Sequence, residues 1–383
     1  MDTTQSLEYR SISLEDEETW KSELDREGFT VIRAVAGEDE VEKARALTWE
    51  WLESLGTGIK KEEPDTWTDE AWPDWPGRKK YGTCKSQGAA HLGATWYLRG
   101  LPRLKEVFTR FWGTEELIVS LDGMIIWRPW SEQEDRRPAN LRLHADQSPV
   151  GKPGFHCLQG MLPLFPVTQS TGGTVLVPGS HLMAAELLER HPAWSETPSH
   201  DFCALRPSDP LQGEEVLVPL MPGDLLLWDS RLVHGAKAES NCSDEEGHNL
   251  DPATLARASM LITMGPRDKA SREVLIMRKE SVHKGWHFTH WPWETPRILG
   301  EFRGQGKQKY RVPELSTDQL KLLGWTSEEL ANGDHTSMEV EHSSKHLTTT
   351  ATPRQKSIRD AGRSIISRLF FRTNKITLKS TNT

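Results

Sequence analysis

Between residues 116 and 265 the sequence is a succession of short strand-like runs, and this pattern limits the fold more than any other feature. Many short strands that follow one another closely and end at Gly and Pro turns favour a sandwich or barrel, here a jelly roll. We therefore predict a mainly β protein. The runs read ELIVSLDGMIIWRP (one strand, or two broken near Asp122 and Gly123), LRLHAD, FHCLQGMLPLF, GGTVLVPG, EEVLVPL, GDLLLWDSRLVHGA and RASMLITMG.

Helices are expected before and within this region. Gly28 and Gly56 are typical of helix ends, because glycine adopts the left-handed C-cap conformation at low cost. Residues 57–90 are rich in Pro, Gly, Trp and charge and predict a long functional or mobile loop, whose tryptophans are candidates for the mouth of a pocket: Trp67, Trp72 and Trp75. We predict a strand over residues 29–35 and flanking helices over residues 14–28, 37–56, 102–112 and 182–191.

Composition argues against several classes of protein. The net charge of −9 over 383 residues does not suit a general nucleic-acid-binding role. No stretch approaches the roughly 20 apolar residues of a transmembrane helix. The acidic N-terminus is neither a secretory signal nor a transit peptide, and four scattered cysteines without a C-x-x-C pair argue against a disulfide framework. These features predict a cytoplasmic protein.

The C-terminal part differs in character from the rest. Residues 341–383 hold nine Lys and Arg against two acids and have low hydrophobicity, which is typical of a disordered tail. Residues 359–372, RDAGRSIISRLFFR, also have the pattern of a short basic amphipathic helix that contacts a partner or an anionic membrane surface. We predict one domain over residues 1–330 and a basic tail over residues 331–383.

One strand carries a histidine and an aspartate two residues apart, in LRLHADQSP. His144 and Asp146 then share a face of the strand, so they either bond to each other or hold a metal. His234 ends an apolar run 90 residues later. Two imidazoles and one carboxylate on neighbouring strands form the facial triad of non-haem Fe(II), which leaves three coordination positions open.

Such iron sites often bind 2-oxoglutarate, whose far carboxylate needs a cation, and arginine matches a carboxylate in a bidentate way. Arg257 opens the strand RASMLITMG, just before an apolar run. Its side chain therefore either points inward as the partner of that carboxylate or lies on the surface at the start of the strand.

The motifs together resemble a known family. LHADQSPVGKPGFHCLQGMLPLFPVTQSTGGTVLVPGSH, GDLLLWDSRLVHGA, RASML, WGTEELIVSLDG and HFTHWP resemble the phytanoyl-CoA dioxygenase family, in its fungal-type branch, over about residues 20–300. The resemblance implies a double-stranded β-helix, cupin-like, that uses Fe(II), 2-oxoglutarate and dioxygen. It implies His144, Asp146 and His234 as iron ligands and Arg257 as the partner of the cosubstrate's far carboxylate.

The chain departs from that pattern at several positions. Arg257 follows His234 by 23 residues, about twice the spacing of better-known members, and we expect the insertion to leave the strand register intact. Met161 replaces a pocket tryptophan, and Ala236 replaces a small hydroxyl residue. Gln159 is a candidate for the missing contact to 2-oxoglutarate, with ordinary strand packing as the alternative.

Other polar residues have less specific signals. His181 is expected to cap a strand-to-helix turn, and no second metal is expected near His290. The stretch AAHLGATWYLRG resembles one that precedes the barrel in this branch, so its His91, Trp96 and Arg99 either line the pocket or, for Arg99, pair with an acid.

The predicted function is that of an Fe(II)- and 2-oxoglutarate-dependent dioxygenase. We expect it to hydroxylate, desaturate or cyclise a small apolar metabolite or lipid-like substrate, with release of succinate and CO2. The alternatives are a cupin-type metalloenzyme that does not use 2-oxoglutarate and a non-catalytic β-helix that binds a small molecule or a protein.

Overall fold

The structure is a computed structural model that describes residues 5–73, 81–84, 87–130, 134–239, 254–295, 298–299 and 311–333. Met1–Ser327 forms one compact unit, and Glu328–Thr383 forms a second. The division into a domain over residues 1–330 and a basic tail stays a prediction, because residues 334–383 lie outside the described part.

The described residues form three antiparallel sheets. One has six strands in the order β1-β10-β6-β12-β4-β2, the second has five in the order β8-β5-β11-β7-β9, and the third pairs β13 with β3. The strands are β1 (Phe29–Ile32), β2 (Thr83–Cys84), β3 (Leu117–Val119), β4 (Met124–Trp127), β5 (Leu141–Ala145), β6 (Leu158–Pro163), β7 (Gly173–Leu176), β8 (Cys203–Ala204), β9 (Val216–Leu217), β10 (Leu225–Asp229), β11 (His234–Lys237), β12 (Arg257–Leu261) and β13 (Met264–Pro266).

The main hydrophobic core draws on both of the larger sheets. β6 and β10 are buried along their whole length, and their sequences, LQGMLP and LLLWD, lack the strict alternation of apolar and polar residues typical of a half-exposed strand. The core residues contributed by these two sheets include Leu143, Met161, Val175, Leu176, Leu226 and Trp228. Two antiparallel sheets that share a core and carry flanking helices confirm the predicted jelly-roll class.

β3 and β4 are separate strands, which decides between the two alternatives in favour of a break near Asp122 and Gly123. The Asp122 carboxylate accepts a hydrogen bond from the Gly123 N–H at 2.7 Å. A Cβ on Gly123 would lie 2.1 Å from the carbonyl oxygen of Cys84, so no other residue fits there without moving β2.

The helices flank the sheets. α1 ends at Gly28, which has a left-handed φ of 81°, and α4 spans the predicted range; the predicted helices over 37–56 and 182–191 are shorter by a few residues. Among the described residues no helix is long and apolar enough to cross a membrane. The helices are α1 (Glu17–Glu27), α2 (Glu38–Ser54), α3 (Gly93–Arg99), α4 (Pro102–Trp112), α5 (Ala184–Arg190), α6 (Arg272–Lys284), α7 (Thr317–Leu323) and α8 (Ser327–Ala331).

The N-terminal residues 5–12 run along one edge of each large sheet. Ser6 forms a bridge with Leu217 of β9, and Ile12 forms one with Ile32 of β1. Both β9 and β1 are terminal strands of their sheets. The chain therefore covers two open sheet edges with its own first residues.

Candidate metal centre

Two neighbouring strands of the five-stranded sheet bring two histidines together. β5 and β11 pair antiparallel with His144 opposite His234, and the ring centroids lie 4.4 Å apart. Asp146 follows β5, and its carboxylate oxygens lie 3.5 Å from the Nε2 atoms of both histidines. One ligand atom from each residue lies within 4.8 Å of the other two. The three residues predicted as ligands therefore meet at one place.

Hydrogen bonds to the backbone fix the orientation of both rings. His144 Nδ1 lies 2.8 Å from the carbonyl oxygen of Arg142, and His234 Nδ1 lies 2.9 Å from that of Leu232. Because a carbonyl only accepts, each Nδ1 donates to its carbonyl and each Nε2 faces Asp146, where it can serve as the ligand atom. Burial, and then the neighbouring His234, lower the pKa of His144 to about 4, so this ring is neutral near pH 7.

The Asp146 carboxylate supplies the negative charge of the cluster. Burial alone would raise its pKa, but His144 and His234 outweigh this and hold the pKa well below its usual range. Gln159 on β6 donates from Nε2 to Asp146 Oδ2 at 3.3 Å. Two imidazole nitrogens and one ionised carboxylate, all offered from one side, are a donor set that fits Fe(II).

Arg257 lies deep between the sheets, at the first residue of β12. Its Nη2 donates to Thr174 Oγ1 at 2.8 Å, and its guanidinium lies 4.6 Å from the centre of the Trp127 ring. Burial lowers its pKa to about 9. Among the described residues its buried Nη1 has no hydrogen-bond partner. A buried cation with an unused donor is costly unless an anion joins it, so the site fits a ligand carboxylate.

Sequence comparison now supplies the family. A sequence model described as phytanoyl-CoA dioxygenase (PhyH) matches residues 24–244, which is more than half of the chain. The chain belongs to the phytanoyl-CoA dioxygenase family. This membership and the His–Asp–His cluster make it a non-haem iron, 2-oxoglutarate-dependent oxygenase, with iron and 2-oxoglutarate as its cofactors. An enzyme of this class is favoured over both alternatives, the cupin-type enzyme without 2-oxoglutarate and the non-catalytic binding protein.

Individual relatives are more distant. The chain is 29% identical over 248 residues to Ava biosynthesis cluster protein O of Aspergillus versicolor, which covers 56% of this chain and 70% of that protein. The structure of a putative oxidoreductase from Salmonella typhimurium LT2 has a TM-score of 0.54 at 14% identity, over 83% of this chain and 86% of that one. The carbocyclase SnoK from nogalamycin biosynthesis has a TM-score of 0.41 at 20% identity, over 67% and 87%. The Salmonella structure supports the double-stranded β-helix fold.

The two departures from the family pattern meet beside Arg257. Ala236, which stands where a hydroxyl residue is common, pairs across the sheet with Thr174 of β7. The Thr174 hydroxyl accepts from Arg257, and Met161 Sδ lies 3.2 Å from the same Nη2. A neighbouring strand thus supplies the hydroxyl. Sequence reasoning missed Thr174, although it lies in the GGTVLVPG run that carried the resemblance.

Several other predicted candidates have structural roles. Trp67 is fully buried and its Nε1 donates to the carbonyl of Lys60 at 2.7 Å, so it anchors its own loop rather than a pocket mouth. His181 Nε2 bonds the carbonyl of Asp25 at 3.1 Å. Arg99 donates to two backbone carbonyls, those of Ala90 and Asp122. Trp75 lies outside the described residues.

His91 is buried, and its environment predicts that the free energy of unfolding depends on pH in the acid range. Burial, and then the Arg99 guanidinium, lower its pKa from 6.5 to about 3. Below pH 6.5 the unfolded chain therefore binds a proton that the folded chain does not, so the free energy of unfolding falls as the pH drops from 6.5 toward 3. We expect His91→Gln to flatten this slope, measured by urea unfolding at several pH values. An unchanged slope would show that His91 does not titrate as described.

His290 was not predicted to have a role, yet it lies at the metal centre. Its Nδ1 is 4.0 Å from Asp146 Oδ2, the oxygen that also accepts from Gln159. The two residues are 144 positions apart in the sequence, so no local pattern reveals their contact. The available signal was the motif HFTHWP, whose second histidine is His290.

Proposed function

We propose that this oxygenase hydroxylates, desaturates or cyclises a small apolar metabolite or lipid-like substrate, with release of succinate and CO2. His144, Asp146 and His234 would hold the iron, and Arg257 would bind the far carboxylate of 2-oxoglutarate. The observation that carries the proposal is the buried, unused Nη1 of Arg257, in the same sandwich as a His–Asp–His cluster. A ligand with a carboxylate at one end and a metal-chelating keto acid at the other suits both features.

Iron in this site supplies the chemistry of dioxygen activation, and the protein supplies position. His144, Asp146 and His234 would hold the metal from one side, which would leave room for the cosubstrate and dioxygen. Gln159 contacts Asp146, so we assign it to the iron end of the site. There it would hold the carboxylate and contact the keto-acid end of 2-oxoglutarate, and its hydrogen bond to Asp146 supports this role.

The surroundings of the cluster support an apolar substrate. Phe202 packs on His144 with ring centroids 4.3 Å apart, and Trp228 lies 5.5 Å from the His234 ring. Trp291 packs beside His290 at 4.7 Å. Aromatic side chains of this kind exclude water and favour apolar ligands over charged ones.

Anaerobic titration tests this function directly. The purified protein receives Fe(II) and then 2-oxoglutarate, and formation of the chelate is followed by its visible charge-transfer absorption. We expect the band to appear only after both Fe(II) and 2-oxoglutarate have been added. Under air, succinate should then form slowly without a substrate. Iron binding without a band would contradict the role of 2-oxoglutarate, and no iron binding would contradict the proposal as a whole.

Thr174→Val tests the hydroxyl beside Arg257. The substitution keeps the shape of the side chain and removes the acceptor that holds Nη2 at 2.8 Å. We expect the apparent Kd for 2-oxoglutarate to rise only about fivefold, or about 1 kcal/mol, because Thr174 orients the guanidinium rather than the ligand. Titration of the charge-transfer band measures it. Thr109→Val, on α4, is the matched control, and an equal effect of both changes would contradict a role of Thr174 in holding the arginine.

A further inference from the structure

The residues after the barrel, 285–295, are held firmly against it; we call them the distal segment. The Phe288 N–H donates to the carbonyl of Leu121 at 2.9 Å. Farther along, Lys152 forms an ion pair with Glu294 at 3.0 Å. The segment is therefore fixed to the barrel on both sides of residue 290.

A buried arginine adds a third anchor. Arg278 of α6 donates from Nη1 to the carbonyl of Pro292 at 3.0 Å and from Nη2 to that of Val119 at 2.7 Å. Arg278 is 1% exposed, so these bonds are shielded from water. The backbone two residues before His290 and two residues after it is thus bonded to the barrel, which leaves little freedom in where the imidazole lies.

That imidazole lies on one oxygen of the Asp146 carboxylate. Oδ2 accepts from Gln159 Nε2 at 3.3 Å, and it lies 3.5 Å from His234 Nε2 and 4.0 Å from His290 Nδ1. A carboxylate that binds a metal through one oxygen needs donors on the other, or it rotates between binding modes. The 4.0 Å separation exceeds a hydrogen bond by about 1 Å, a distance that a change in side-chain torsion closes.

We propose that His290 is a positioning residue of the metal centre, which donates a hydrogen bond to Asp146 Oδ2 when iron is bound. The inference rests on the proposed function, because it assigns Asp146 as an iron ligand. Together with Gln159, His290 fixes the rotation of the carboxylate. The iron site is then completed by the distal segment and not by the barrel alone.

The test is iron affinity, measured on the full-length protein by anaerobic competition of Fe(II) against a chelating dye. His290→Phe keeps an aromatic ring of similar size and removes the donor, and His290→Gln keeps a donor. We expect the Phe variant to bind Fe(II) about 10- to 100-fold more weakly and the Gln variant to keep most of the affinity. His200→Ala, which removes an exposed imidazole, should bind as the wild type does. Melting of the metal-free proteins shows that each variant is folded.

Three outcomes would contradict the role of His290. If the Phe variant binds Fe(II) within about threefold of the wild type, the inference is overturned and the proposed function stays intact. Such a change is smaller than that expected on loss of a residue that hydrogen-bonds to a metal ligand. Equal weakening in the Phe and Gln variants would overturn it too, because it would show a packing effect. A wild-type protein that does not bind iron would overturn both the inference and the proposed function.

Discussion

Replacing Arg257 with methionine is expected to raise the apparent Kd for 2-oxoglutarate about a hundredfold or more, because a bidentate contact contains two charge-assisted hydrogen bonds of about 1.5–3 kcal/mol each. Iron binding should not change, since Arg257 contacts none of the three candidate ligands among its described hydrogen bonds. The charge-transfer titration measures both quantities in one experiment.

The same substitution is expected not to lower the stability of the metal-free protein, although it changes a buried residue. Arg257 is 2% exposed and its Nη1 has no partner among the described residues, so a methionine there relieves a buried charge. We expect the Tm of the metal-free variant to equal or exceed that of the wild type. Addition of iron and 2-oxoglutarate should raise the wild-type Tm more than the variant Tm.

A surface arginine provides the control for both measurements. Arg103 pairs with Glu15 at 3.0 Å, and both side chains are exposed. Arg103→Met should alter neither 2-oxoglutarate binding nor the shift in Tm. If Arg257→Met binds 2-oxoglutarate as the wild type does, the far carboxylate is held elsewhere and the assignment of Arg257 is wrong.

Loss of one imidazole ligand should weaken Fe(II) binding more than loss of a residue that only hydrogen-bonds to a ligand. His234→Ala removes one of three donors, and the remaining His144 and Asp146 cannot form a facial set. We expect Fe(II) affinity to fall by more than the 10- to 100-fold typical of an outer hydrogen-bond partner. No charge-transfer band should form at micromolar iron, and succinate formation should stop.

His200→Ala again serves as the comparison, since it deletes the same side chain from the surface. Circular dichroism and the Tm of the metal-free proteins separate loss of metal from loss of fold. A persistent band in His234→Ala would remove His234 from the ligand set, and the centre would have to be assigned to other donors.

The sequence predicted the cluster because its members obey local rules. His144 and Asp146 share one face by the period of a strand, and His234 ends an apolar run of the kind found in buried strands. The end of α1 at Gly28 followed from capping chemistry, and a break near Gly123 was one of two alternatives that the sequence left open. The features predicted from local rules, such as the shared face of His144 and Asp146, depend on residues close together in the chain, whereas the link to His234 spans 90 residues.

The missed contacts depend on tertiary structure. Thr174 reaches Arg257 across the two sheets, over 83 residues of sequence, and His290 reaches Asp146 from a segment beyond the barrel. No spacing rule connects such pairs. α6 is different, because Ser271 at its start and Gly285 at its end are typical caps, and the pattern was readable. The cytoplasmic location and the contact of the basic tail with a partner or membrane stay predictions.

The N-terminal residues 5–12 have a consequence for how the protein behaves in solution. Terminal strands with open N–H and C=O groups are templates on which another chain can add a strand, and they promote aggregation. Leu217 of β9 accepts from the Leu7 N–H and donates to the Gln5 carbonyl, and the Ile12 N–H donates to Val31 of β1. A variant that begins at residue 13 would keep every candidate ligand and yet expose two sheet edges to which another chain could bind. Residues 5–12 therefore reduce the exposure of two sheet edges to which another chain could add a strand.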